Sequence, residues 1–168
     1  VPDDINSSFM RGSSAAPPLI REALFSASSN LFSESGLDLD QIGIWEDLGD
    51  IEFSGEIEEE SFKKIKTFVK DILASDQKLV SLGGDHSVSW PILDAHLDAW
   101  DTLDILHIDA HPDLYDSLLD NKLSHASPFA RVMETGRVNR LVQIGIRTLN
   151  KHQREQAEKF GVEIYQMK

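Results

Sequence analysis

The sequence contains no cysteine. That removes a disulfide framework, zinc–thiolate sites and thiol catalysis from consideration. It also suits a reducing compartment, so the cytoplasm is the expected location. No apolar run approaches the roughly 18 residues of a membrane span, and no membrane partner is expected. Positive charge is scarce: 16 Lys and Arg against 29 Asp and Glu leave a formal net charge of −13. A surface of that sign repels phosphate backbones, which argues against nucleic acid and suits a small cationic ligand. There is no internal repeat, no low-complexity run, and no basic, signal-like stretch around Val1-Pro2-Asp3-Asp4. Asn6-Ser7-Ser8 matches a glycosylation acceptor, a pattern without meaning in a cytosolic protein.

What is present is an ordinary globular composition, 168 residues with 40% hydrophobic and 27% charged, about one domain's worth. Short runs rich in Val, Ile and Leu at 41–45, 78–82, 103–108, 141–146 and 162–165 read as strands covered on both faces, as in a parallel sheet. Helices are expected between them. One opens at Pro17-Pro18, where an early helical position has no N–H to lose. A second spans about 56–74, with Ile65, Phe68, Val69, Ile72 and Leu73 on one stripe. A third runs from Ser87 or Ser89 towards Trp100, a fourth lies around 125–135, and a fifth covers 151–160 and ends at Gly161. Alternating strands and helices predict a three-layer αβα domain with a mostly parallel sheet. Residues 1–168 are read as a single domain cut at both ends, because Val1-Pro2 resembles the tail of a strand and 162–165 a strand that expects more fold.

Two segments carry chemistry, each just past the carboxyl end of an expected strand, where open α/β sheets bind ligands. Gly83-Gly84-Asp85-His86-Ser87 is a turn in which positive φ at the glycines would bring His86 into the crevice. No Lys follows the glycines, which excludes a phosphate loop, and Ser87 lacks the flanking glycines of a nucleophile elbow. In Asp109-Ala110-His111-Pro112-Asp113, an extended backbone would point Asp109, His111 and Asp113 to one side. Imidazole and carboxylate without thiolate favour a cation such as Mn²⁺, with Fe²⁺, Zn²⁺ or Ni²⁺ also compatible. Paired carboxylates could bridge two ions. His107, inside an apolar run, reads as a satisfied buried residue, and His96 and His152 as surface positions. His125, where a loop returns to helix, is left open between the site and the surface.

These segments together resemble the ureohydrolase family of arginases, agmatinases, formiminoglutamases and guanidinobutyrases. The similarity is greatest to the agmatinase-like branch that includes plant arginases. The carrying residues are GGDHS at 83–87, DAHPD at 109–113 and SHASPFAR at 124–131. Pro2-Asp3, Asn6-Ser7-Ser8-Phe9, Arg11-Gly12 and Ala16-Pro17-Pro18-Leu19-Ile20-Arg21 add to them. The resemblance implies an arginase-like fold and a binuclear manganese centre that hydrolyses a guanidinium group of agmatine or arginine to urea and an amine. By motif match His86 and Asp113 would bind one ion and His111 the other. Asp109 would bridge them and relay a proton, and His125 would shuttle protons to solvent. Many members have Gly where Ala126 stands. The family's further aspartates, in an S-x-D-x-D motif, do not occur in residues 1–168, so the chain is read as a fragment. Tyr115 and Asn121 fall in the implied substrate loop. Tyr115 stands where arginases that grip the amino-acid end commonly have Asn, which leaves agmatine and arginine both open. A formiminoglutamase or guanidinobutyrase relative, a related metal-dependent deacylase and a non-catalytic metal-binding scaffold are the alternatives. A homo-oligomer, trimer or hexamer, is implied by resemblance alone.

Overall fold

The apolar and charged patterns become helices much where their caps and periodicity place them. The computed structural model describes residues 1–167 apart from positions 42 and 44. Helix α1 (Ala16–Leu24) carries its prolines in the first turn, and Arg21 pairs with Asp47 and Asp50 of the loop that follows. Helix α2 (Glu58–Leu73) has Glu58, Glu59 and Glu60 in its first turn and Lys70 in its last, which complements the helix dipole at both ends. Ile65 and Val69 are fully buried, whereas Phe68 lies at the rim of the stripe. A 3₁₀ turn at His86–Val88 leads into α3 (Ser89–Ala99). Phe62, Ile65, Val69, Val88 and Ala95 form the core between α2 and α3. Lys66 braces that seam 2.7 Å from Asp94 and 3.1 Å from Asp98. Helix α4 (Pro128–Glu134) is shorter than expected at its start, because residues 124–127 are a turn. Helix α5 (Lys151–Phe160) opens with a reciprocal Asn150–Gln153 capping box and ends at Gly161 in the left-handed region, φ 69°.

Strands β1 (Leu103–Ile108), β2 (Val138–Ile146) and β3 (Glu163–Gln166) form one parallel sheet in that order. The chain thus has the expected α/β class, a parallel sheet with flanking helices. Leu97, Leu114, Phe129, Val132, Leu141 and Ala157, with Leu103, Ile105, Val162 and Ile164 against them, form the core on one sheet face. On the other face Leu106 and Ile108 are 61% and 74% exposed, and Ile144 and Tyr165 are exposed as well. Coverage on both faces is therefore not met within the described residues. Crossovers of one hand that extend a sheet in one direction place their helices on the same side. The crossovers carrying α4 and α5 both do so.

Residues 77–83 form no ladder, so the strand expected at 78–82 is absent. The segment instead runs beside the first residues of the chain. The Val1 nitrogen donates to the Leu82 carbonyl at 2.9 Å, Gly84 N–H to the Val1 carbonyl at 3.0 Å and Asp85 N–H to the Asp3 carbonyl at 2.9 Å. Three bonds to so short a stretch, with Val80 88% exposed, fix the path without making a strand. Of the strand expected at 41–45, positions 42 and 44 lie outside the described residues; Gln41, Gly43 and Trp45 are in bend, turn and irregular backbone. Among the described residues no helix is long and apolar enough to cross a membrane.

Candidate metal centre

His86 is aimed by close packing. Neither Gly83 nor Gly84 has positive φ, which corrects the sequence expectation. Gly84 is needed for another reason: a Cβ there would lie 2.0 Å from the Asp3 carbonyl oxygen. Asp85 then caps the 3₁₀ turn, its Oδ1 accepting from Ser87 N–H at 2.8 Å. Its Oδ2 accepts from Asn6 N–H at 3.1 Å and Ser7 Oγ at 3.2 Å. The His86 ring rests edge-on against Phe129, and its Nδ1 lies 2.6 Å from Asp113 Oδ2.

The second segment does not stay extended. After Ile108 the backbone bends, and Asp113 adopts φ 46°. Strict alternation is therefore lost, yet His86, Asp109, His111, Asp113, Tyr115 and His125 all line one cavity of about 700 Å³. Asp109 N–H donates to Ile144 O at 3.0 Å. Beside it Gly145, at φ 91°, lets the Asp109 carbonyl approach to where a Cβ would be 3.0 Å away. The pairing irregularity between Ile144 and Ile146 in β2 marks this seat. Asp109 Oδ1 accepts from the His111 N–H at 2.9 Å. Its Oδ2 lies 3.8 Å from His86 Nδ1 and 3.4 Å from His107 Nε2. The His111 side chain is the outermost of the group, 59% exposed and 3.5 Å from Asp109 Oδ1.

Electrostatics follow from this crowding. Burial disfavours a charged His86, but the hydrogen bond and charge of Asp113, then Asp109 and Asp85, outweigh it and raise the imidazole pKa. Burial would raise the Asp109 carboxyl, but the His111 N–H and the His107 and His86 rings hold it below its ordinary value. Burial first, then His86, pushes the His107 pKa down. His86, His107 and Asp109 offer ligand-type atoms all within 4.8 Å of one another, with Asp113 in contact with His86. Imidazole nitrogens and carboxylate oxygens this close, at the edge of an open cavity, fit a hard or borderline divalent cation. Such an ion would replace the proton between His86 and Asp113.

His125 Nδ1 is 2.9 Å from the Asn6 carbonyl oxygen. A carbonyl only accepts, so Nδ1 carries the hydrogen and Nε2 keeps a lone pair. Tyr115 lines the cavity, accepts a hydrogen bond from Asn150 Nδ2 and stacks on His152 at 5.7 Å. His152 is exposed, as expected, but its Nε2 also accepts from Asp116 N–H at 3.2 Å. Asn121 is not among the lining residues. Its Nδ2 donates to Asn6 Oδ1 at 2.9 Å and Glu58 Oε1 at 3.1 Å, and its Oδ1 accepts from Leu123 N–H at 2.7 Å. Buried Arg131 donates to the carbonyls of Asp116 and Lys122 at 2.9 and 3.0 Å, which holds the loop between them. Sequence reasoning gave no part in the site to Asn6, Asp85, His107 or Asn150. Asp85 two residues before Ser87 was a detectable cap signal; the others act through contacts no local pattern announces.

A family model described as "Arginase family" matches residues 1–168. The chain is 45% identical to the arginase of Glycine max over 175 aligned positions, covering 100% of this chain and 50% of that protein. It is 36% identical to the N(1)-aminopropylagmatine ureohydrolase of Thermus thermophilus, covering 98% and 55%. Among solved structures, arginase from Medicago truncatula superimposes with a TM-score of 0.93 at 41% identity, covering 98% of this chain and 54% of that one. A curated arginase of that organism is named mitochondrial. The chain spans about half the length of the curated relatives it matches.

Proposed function

The chain belongs to the arginase family, and on that premise we propose that the complete protein is a metal-dependent ureohydrolase that cleaves a small cationic guanidino compound to urea and an amine. The observation that carries this reading is the meeting of His86 with Asp109, His111 and Asp113, from segments more than twenty residues apart, in the cavity that also contains His125. His86, Asp109, His111 and Asp113 would hold the Mn²⁺ ions, His86 and Asp113 on one and His111 on the other, with Asp109 serving both. When bound, such ions lower the pKa of water towards about 7.

The side chains supply the rest. Asp109, kept ionised by its neighbours, accepts a proton and passes it to the departing amine. His125, with Nε2 free and Nδ1 anchored on Asn6, exchanges protons with solvent. Tyr115 faces the substrate from the cavity wall, braced by Asn150 and His152. Asn121 supports that loop through Asn6 and Glu58. Carboxylates around the cavity favour a cationic substrate. Arginine and agmatine are the leading candidates, supported by the names of the Glycine max and Thermus thermophilus relatives. We further propose a homo-oligomer, trimer or hexamer, and place the protein either in the cytoplasm or, following the name of the Medicago truncatula relative, in the mitochondrion. Urea release by the full-length protein with Mn²⁺ from arginine, agmatine and guanidinobutyrate tests the reading and ranks the substrates. Metal binding without urea from any of the three would leave the formiminoglutamase-type relative, the deacylase and the non-catalytic scaffold.

A further inference from the structure

His107 sits in β1, 6% exposed, its ring 4.1 Å from the Phe129 ring and 5.3 Å from the His86 ring. It belongs to the cluster whose atoms could hold an ion, and position alone makes it a candidate ligand beside His86 and Asp109. The hydrogen bonds on its far side say otherwise. Gln143, directly opposite in β2 and fully buried, places Nε2 2.7 Å from the Pro112 carbonyl oxygen and 3.0 Å from His107 Nδ1. The Pro112 oxygen can only accept, so the atom facing it is the amide nitrogen; the flipped amide would set two oxygens against each other. One amide hydrogen goes to Pro112, and the other goes to His107 Nδ1. Nδ1 is therefore the lone-pair nitrogen, and the ring hydrogen is on Nε2.

That assignment decides what His107 does. An imidazole that binds a metal through one nitrogen donates the N–H of the other to an acceptor. His107 has a donor there instead, so binding through Nε2 would demand an imidazolate. Its Nε2 is buried and has no hydrogen-bond partner among the described residues, and Asp109 Oδ2 is 3.4 Å away. We propose that His107 is a positioning residue and not a ligand: its Nε2–H holds the Asp109 carboxylate, and Gln143 fixes both the tautomer of that ring and, through Pro112, the backbone between His111 and Asp113. Asp109 Oδ2 is the acceptor nearest to that unmet donor among the charged groups the structure pairs with it. Its bearing on catalysis rests on the ureohydrolase reading; its bearing on metal affinity and protonation does not.

Two measurements on the full-length protein test it, neither requiring turnover. Neutron diffraction from deuterium-exchanged crystals should show deuterium on His107 Nε2 and none on Nδ1; the reverse pattern overturns the proposal. Mn²⁺ titration should show His107→Leu binding the same number of ions about 10–100-fold more weakly, the range for loss of a partner that orients a ligand. His107→Gln, whose amide nitrogen reaches the Nε2 position, should restore affinity to within about threefold of wild type. A variant pair that loses an ion outright, or a Gln variant as weak as the Leu variant, makes His107 a ligand and overturns the proposal. Should the Leu variant fail to fold, the Gln variant and the diffraction result still decide. A protein that passes both tests yet releases no urea fails only the reading of its activity.

Discussion

The Asn6 carbonyl accepts the Nδ1–H of His125 at 2.9 Å across 119 positions of sequence. The same residue donates its backbone N–H to Asp85 and its side-chain amide to Ser87, and accepts from Asn121. One buried amide near the start of the chain thus joins the turn behind His86 to the loop that carries His125.

His125→Asn in the full-length protein should lower kcat by about 10²–10⁴-fold, the usual contribution of a positioned acid–base group. Metal content should stay at wild-type level. Steady-state kinetics with parallel metal analysis checks this, and undiminished turnover rejects the proton-exchange role.

Asn6→Ala keeps both backbone bonds and removes the side-chain bonds to Ser87 and Asn121. The buried groups left behind should cost about 1–3 kcal/mol of stability. Chemical unfolding measures this directly, and a variant as stable as wild type would show that water replaces the amide at no loss.

Gly84→Ala places a Cβ 2.0 Å from the Asp3 oxygen, whereas a Cβ at Gly161 meets nothing within 4 Å. Gly161→Ala should cost only the left-handed backbone penalty, about 1–2 kcal/mol. Gly84→Ala should cost more and should also lower metal affinity, because relieving the clash displaces the turn that carries His86. Equal melting temperatures for the two variants would contradict the close-approach argument.

The His86 pKa stands above its ordinary 6.5. A value raised in the folded state contributes stability that is fully present below the unfolded pKa and lost as pH rises through the folded one. Without metal, the stability gap between wild type and His86→Asn should therefore be full below about pH 6.5 and shrink as pH rises beyond it. Added Mn²⁺ acts in the opposite sense, because the ion needs the neutral ring; its stabilising effect should grow over the same interval. Thermal melts across that range, with and without the ion, read both slopes.

How far the sequence foretold these features depends on how local their causes are. Ile65 and Val69 are four apart on one helix stripe, and Gly161 marks a helix end, so helix α2 and the end of α5 were legible. The 78–82 run has the composition of a strand, but a strand also needs a neighbour, and among the described residues it is the first three that bond to its end. The glycines of 83–84 were rightly singled out for the wrong reason, since the approach of Asp3 leaves no local mark. His86, Asp109, His111 and Asp113 could be named from their motifs. The left-handed turn at Asp113 and the Gly145 seat that bring them together could not. His107 looked like a contented core residue because its partner, Gln143, lies on another strand.

The uncovered side of the sheet has a colloidal consequence. Leu106, Ile108, Ile144 and Tyr165 make an oily stripe on a particle whose charge is −13. In dilute buffer, mutual repulsion keeps such particles apart, but at 0.1 M salt that repulsion reaches only about 10 Å. Residues 1–168 handled by themselves should therefore cloud as salt is added, the reverse of the salting-in seen when opposite charges drive clumping.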